Sequence, residues 1–125
     1  MRLNKSTRKI TFECWPRNVE IGSPSARQYP GWPKTIDQLD NYGRNAVAYL
    51  PTVQVSGATN PVLQIVEEAT GKWIYSLRIK GTSFRPKVFK AGRYTIRVGE
   101  GKGRKEITGV EARSLSQAGV LKVDL

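Results

Sequence analysis

The 125-residue sequence predicts an all-β fold, on three observations. Apolar residues alternate with polar ones over many short stretches, the period-2 signature of a half-buried strand. Twelve glycines and seven prolines punctuate the chain at short intervals instead of gathering in one low-complexity tract. No segment carries a sustained helical period. About seven strands with turns every 8–12 residues fit a two-sheet sandwich of immunoglobulin or fibronectin type III, with a jelly roll as the other topology left open. A chain of this length buries roughly two-thirds of its unfolded surface, so one domain needs no staples.

Residues 1–8 read as a polar lead-in, and 9–112 as a single sandwich domain. Lys9 to Trp15 alternates, with Ile10, Phe12 and Cys14 on one face, until Pro16 ends the strand. A long Pro/Gly/aromatic loop follows over 16–45. Within it TIDQLDNYG is expected to form one helical turn capped by Thr35. Ala46 to Ser56 is a strand with Val47, Tyr49, Val53 and Val55 on one face and a bend at Pro51. Val62–Glu67 and Trp73–Lys80 form a hairpin across EATGK, with Gly71 at the left-handed position of its turn. Phe84 to Val88 and Tyr94 to Val98 alternate again. Lys105 to Glu111 is the last clear strand, and 113–125 is a tail or an added strand. The expected core is Trp73, Tyr75, Leu77, Ile79, Phe84, Val88, Tyr94, Ile96 and Val98. In GRYTIRVG, Tyr94 suits a tyrosine corner, its hydroxyl bonded back to the chain, or else an ordinary core position.

The chemistry is bounded first by what is missing. The chain has no histidine, which removes Ser-His-Asp and Cys-His nucleophile arrangements and most zinc or two-metal catalytic sites. GEGKG joins two strands and reads as a turn, not a phosphate cradle. Glu67 and Glu68 are sequence neighbours and point to opposite faces of a strand. Asp37, Asp40 and Asn41 match no calcium-loop spacing. No catalytic, cofactor-binding or metal-binding residues are assigned, and the chain is not expected to be an enzyme. Cys14 is the only cysteine, so no intrachain disulfide forms. No run of 18 apolar residues occurs, and no transmembrane segment is expected.

The positive signal is charge. The formal net charge is +11, and Arg78 to Lys105 holds ten Lys or Arg against one acid, Glu100. Arg78, Lys80, Arg85, Lys87, Arg93 and Arg97 point outward from the strands. They form a solvated face, a patch for an anionic polymer or glycan, or a docking face for an acidic domain. No nucleic-acid-binding signature is present and no specific nucleic-acid partner is expected. Tyr29, Trp32 and Tyr42 form the candidate aromatic ligand contact, with packing of the loop as the alternative.

RKITFECWPR, QYPGWPKTIDQLDNYGR leading to AVAYLP, and LQIVEEATGKWIYSLRIKGTSFRPKVFKAGRYTIRVG together resemble the C-terminal part of large secreted metallophosphatase-like proteins of the alkaline phosphatase D (PhoD-like) group. The resemblance covers about residues 8–112, and YPGWPKTIDQLDNYGR is its most specific piece. It implies a non-catalytic accessory domain whose partner is the upstream catalytic domain of the same parent chain, and a periplasmic or secreted location. The metal ligands of that group lie in the preceding domain, and none can be placed on this chain.

Overall fold

The structure, a computed structural model, describes residues 1–40 and 44–125. It is an all-β, sandwich-like architecture with no α-helix among the described residues. The chain divides into two compact units, Met1–Gly43 and Arg44–Leu125.

The first unit holds a three-stranded antiparallel sheet of β1 (Arg2–Asn4), β2 (Lys9–Phe12) and β3 (Lys34–Asp37), in the order β1-β2-β3. Residues expected to be a lead-in thus supply an edge strand, and β2 pairs inside this unit: Leu3 opposes Ile10, and Ile10 opposes Ile36. The expected helical turn near Thr35 is a strand instead. Thr35 and Ile36 are β-branched and pair with Thr11 and Ile10, and the Thr11 and Thr35 hydroxyls meet at 2.9 Å. Asp37 and Asp40 close the tight turn that follows, Asp40 accepting from the Asp37 N–H and Asp37 from the Leu39 N–H. Phe12 is 37% exposed and Cys14 is half-buried, so neither is fully buried as the alternation alone suggests.

The second unit contains β4 (Ala48–Tyr49), β5 (Thr52–Ser56), β6 (Val62–Glu67), β7 (Trp73–Arg78), β8 (Ser83–Phe84), β9 (Lys87–Val88), β10 (Arg93–Val98), β11 (Lys105–Glu111) and β12 (Val120–Asp124). Its main sheet runs β11-β10-β6-β7, all antiparallel. A second sheet runs β12-β5-β8, and β4 pairs with β9. Pro51 breaks the 46–56 stretch as expected, but the break also changes its phase. Ala48 and Leu50 are buried before it and Val53 and Val55 after it, while Val47 is 64% exposed. The segment after 113 resolves into a strand: β12 lies parallel to β5, with Val123 opposite Val55.

The core gathers Leu50, Val53, Leu63, Ile65, Ile79, Val88, Tyr94, Ile96 and Val98, all essentially inaccessible to solvent. Tyr94 lies among them with its hydroxyl donating to the Lys90 carbonyl at 2.7 Å, which is the local geometry of a tyrosine corner. Burial raises its phenol pKa, and the Glu67 charge adds to the shift. Tyr94→Phe keeps the ring and removes the bond, so unfolding in urea is expected to show a loss of about 1 kcal/mol. An unchanged midpoint with an unchanged slope would show that the bond contributes nothing.

Two expected core residues are not in the core: Phe84, in the short β8, is only half-buried, and Trp73 faces solvent. Trp73 is 56% exposed. A β-bulge lies where Ile65 pairs with Tyr75 and Val66 with Trp73, so Ile74 is the extra residue. The insertion turns Trp73 to the opposite face from Tyr75 and Leu77.

Candidate functional site

The six candidate cations do not form one patch. Arg93 and Arg97 alternate with the buried Tyr94, Ile96 and Val98 of β10, so they stand on the outer face of the main sheet. Arg78 joins that face from β7, donating to Glu100 at 2.7 Å and to the Asn60 carbonyl at 3.0 Å. Lys80 is exposed just beyond the end of β7. Arg85 follows β8 directly, in the link to β9, and turns to a residue of the other sheet. Its Nε donates to Thr52 Oγ1 at 2.7 Å and one Nη to the Leu115 carbonyl at 3.4 Å. Lys87 is half-buried in β9, and its carbonyl accepts the Tyr75 hydroxyl at 2.7 Å.

Of the aromatic trio, Tyr29 is 50% and Trp32 39% exposed, and they share one turn in which the Trp32 N–H donates to the Tyr29 carbonyl. Tyr42 lies outside the described residues.

The outer face of the main sheet is more organised than the sequence shows. Register places Glu106, Arg97, Gln64 and Ser76 side by side, one from each strand. Arg97 donates to Glu106 at 2.8 Å, and its guanidinium sits 5.9 Å from the centre of the Trp73 ring. The Gln64 Oε1 is buried and has no hydrogen-bond partner among the described residues. Along the same face, the Thr95 hydroxyl and the Gly109 N–H both donate to Glu68.

The electrostatics follow from these bonds. Every carboxylate of Arg44–Leu125 is engaged. Glu67 takes Thr70 and Lys90, Glu68 takes Gly109 and Thr95, and Glu100, Glu106 and Glu111 take Arg78, Arg97 and Arg113. Asp124 takes the Ser56 hydroxyl. Arg93 and Lys72 have no carboxylate within 4.0 Å among the described residues. Their charges reach Glu68 and Glu67 at longer range, so these two cations stand outside any close ion pair among the described residues.

Two of these carboxylates report on folding. The Thr70 hydroxyl and the Lys90 charge hold Glu67 below the ordinary glutamate value, and the Gly109 N–H and Thr95 hydroxyl do the same for Glu68. A pKa depressed in the folded state gives stability that is present above about pH 4.3 and is lost as pH falls through the folded value. The melting temperature is expected to decline on acidification below that point, and Glu68→Gln should flatten part of the decline. An identical acid profile in the variant would sever Glu68 from it.

Among the described residues no cluster of three or more His, Cys, Asp or Glu has metal-site geometry. Nor is any helix long and apolar enough to cross a membrane. Comparison with protein-family models, curated proteins and solved structures returned no match to this chain.

Proposed function

We propose that this chain is a non-catalytic accessory β-module of a larger exported phosphatase-like hydrolase, packing on the catalytic domain or holding it at its target. The observation that carries this reading is chemical. The sequence has no histidine, and the carboxylates of Arg44–Leu125 are all committed to cations, hydroxyls or a backbone N–H. Side chains that bind and orient are abundant, while groups poised to exchange protons with a substrate are not. The stretches resembling the PhoD-like group supply the identity of the partner, a histidine-rich catalytic domain, and with it a periplasmic or secreted location.

Two measurements test it. The purified chain should hydrolyse neither mono- nor diester nitrophenyl phosphates in the presence of zinc, manganese, calcium or iron. Turnover that co-elutes with the protein would overturn the reading. The gene's reading frame upstream of Met1 should encode a metallophosphatase domain, and a frame that opens at Met1 would break the link to a parent enzyme.

A second reading has its own observation, the net charge of +11 with the acids of the larger unit already engaged. It makes the chain a binding module for an anionic polymer or glycan. Retention on heparin well above physiological salt, with affinity falling steeply as salt rises, is the expected result. Elution at low salt would remove this reading.

A further inference from the structure

Trp73 is the feature of this fold that packing does not explain. A ring of this size usually goes to the core, where its apolar surface leaves water. Here the bulge at Ile74 turns it outward and leaves it 56% exposed. What surrounds it is ordered. Glu106 fixes Arg97, whose side chain is only 22% exposed, and Arg97 in turn reaches over the ring. Gln64 and Ser76 continue the same row toward the sheet edge. Strands lie about 4.8 Å apart, so this row sets a guanidinium, an amide whose oxygen is buried and unpartnered among the described residues, and a hydroxyl at a pitch close to one pyranose unit.

A sugar ring offers both halves of the complement: an apolar C–H face that packs on an indole, and hydroxyls that pair with planar polar side chains. The charge on this face narrows the class of sugar. Its acids are engaged, while Arg93, four residues before Arg97 on the same side of β10, and Lys72, next to Trp73, have no carboxylate partner within 4.0 Å among the described residues. A neutral glycan leaves those cations unanswered, and a uronic-acid polymer answers them. Single-stranded nucleic acid fits less well. Its binding platforms stack successive bases on several rings, and Trp73 is the one ring among the residues identified on this face.

We propose that the outer face of the four-stranded sheet binds an acidic polysaccharide, with one uronic-acid ring stacked on Trp73 and the hydroxyls and carboxylates of that ring and its neighbours in the polymer met by Arg97, Gln64, Ser76 and Arg93. The proposal deepens the anionic-glycan reading above by naming its surface and its ligand class. It does not depend on the phosphatase link.

The test is calorimetric titration of the full chain with hexagalacturonate, cellohexaose and the oligonucleotide dT6, at low and at physiological salt. Hexagalacturonate is expected to bind most tightly. Trp73→Ala should weaken that binding about tenfold or more, the order of one ring-stacking contact, while Trp73→Phe stays within a few-fold of the parent. Far-ultraviolet circular dichroism checks that both variants fold. Unchanged binding of hexagalacturonate to Trp73→Ala would overturn the site while leaving general anion attraction in place. Equal binding of cellohexaose would overturn the acidic specificity. Tighter binding of dT6 with the same dependence on Trp73 would reassign the face to nucleic acid. No binding of any of the three would end both this proposal and the anionic-polymer reading.

Discussion

Removing residues 120–125 is expected to destabilise the second unit by about 3–5 kcal/mol, a large share of what a domain of this size possesses. The strand lost is β12, which pairs with β5 along its whole length from Thr52 to Ser56. On its other side β5 pairs with β8 only at Val53 and Gln54, so truncation strips most of its ladder. It also removes Val123, which is 5% exposed, and so opens a cavity beside the core. The measurement is thermal unfolding followed by circular dichroism. A fall in melting temperature of about 15 °C or more is expected, or loss of a cooperative transition. A truncated chain that melts like the parent would show β12 to be an ornament of the fold.

The second large effect is expected at Gly57. A side chain added there would drive its Cβ into the Leu125 carbonyl oxygen, and the backbone φ of +83° is one that side chains resist. Gly57→Ala therefore combines left-handed strain with a collision against main chain, and about 2–4 kcal/mol is expected in total. Gly71→Ala separates the two contributions. Its φ is +67° but nothing lies within 4 Å of the added carbon, so it should cost only the conformational part, about 1 kcal/mol. The collision also predicts non-additivity: in a chain lacking 120–125, Gly57→Ala should fall to the same small cost as Gly71→Ala. Full additivity of the two changes would refute the contact. Chemical denaturation of the four proteins supplies all the comparisons.

Much of this architecture is written in period-2 alternation. The hairpin of β6 and β7 about Gly71, the burial of Tyr94, Ile96 and Val98, and the strand Lys105–Glu111 are all visible in the sequence. In β10 one parity is apolar throughout, and in the hairpin the turn chemistry at Gly71 agrees with the strands on either side, while in Lys105–Glu111 the apolar Ile107 and Val110 fall on opposite parities because a bulge lies between them. The Tyr94 hydroxyl bond is legible too, because Gly92 and Tyr94 flank the start of a strand in the expected way.

Other features lie outside what alternation carries. A bulge shifts parity by one residue, and WIYSL hides it because Trp73, Ile74 and Tyr75 are all apolar. That run of three was itself the available signal, since a regular half-buried strand has no use for it. The segment KTID reads as a capped turn from its polar residues, yet its β-branched pair finds partners in Ile10 and Thr11, which lie 24 or more residues earlier. The cation patch fails to assemble for a different reason. Which sheet a strand joins is a long-range fact, so Arg85 bonds Thr52 while Arg97 bonds Glu106, although only twelve positions separate the two arginines. The row of Glu106, Arg97, Gln64 and Ser76 depends on three registers at once, and nothing local encodes it.

The parallel pairing of β12 with β5 also sets a schedule for synthesis. The partners lie far apart in sequence, Ser56 and Asp124 being separated by 68 residues. A ribosome adding ~5–20 residues per second needs ~3–14 s to make the stretch between them. For that interval β5 has an open edge, with free N–H and C=O groups flanked by Val53 and Val55. Such an edge is a template for another nascent chain as much as for its own later strand. Expression at lower temperature slows that wait and the competing association alike, so the yield of soluble protein should respond more to chain concentration than to translation speed. A chaperone that shields extended apolar segments would act here on one identifiable target, the edge of Thr52–Ser56.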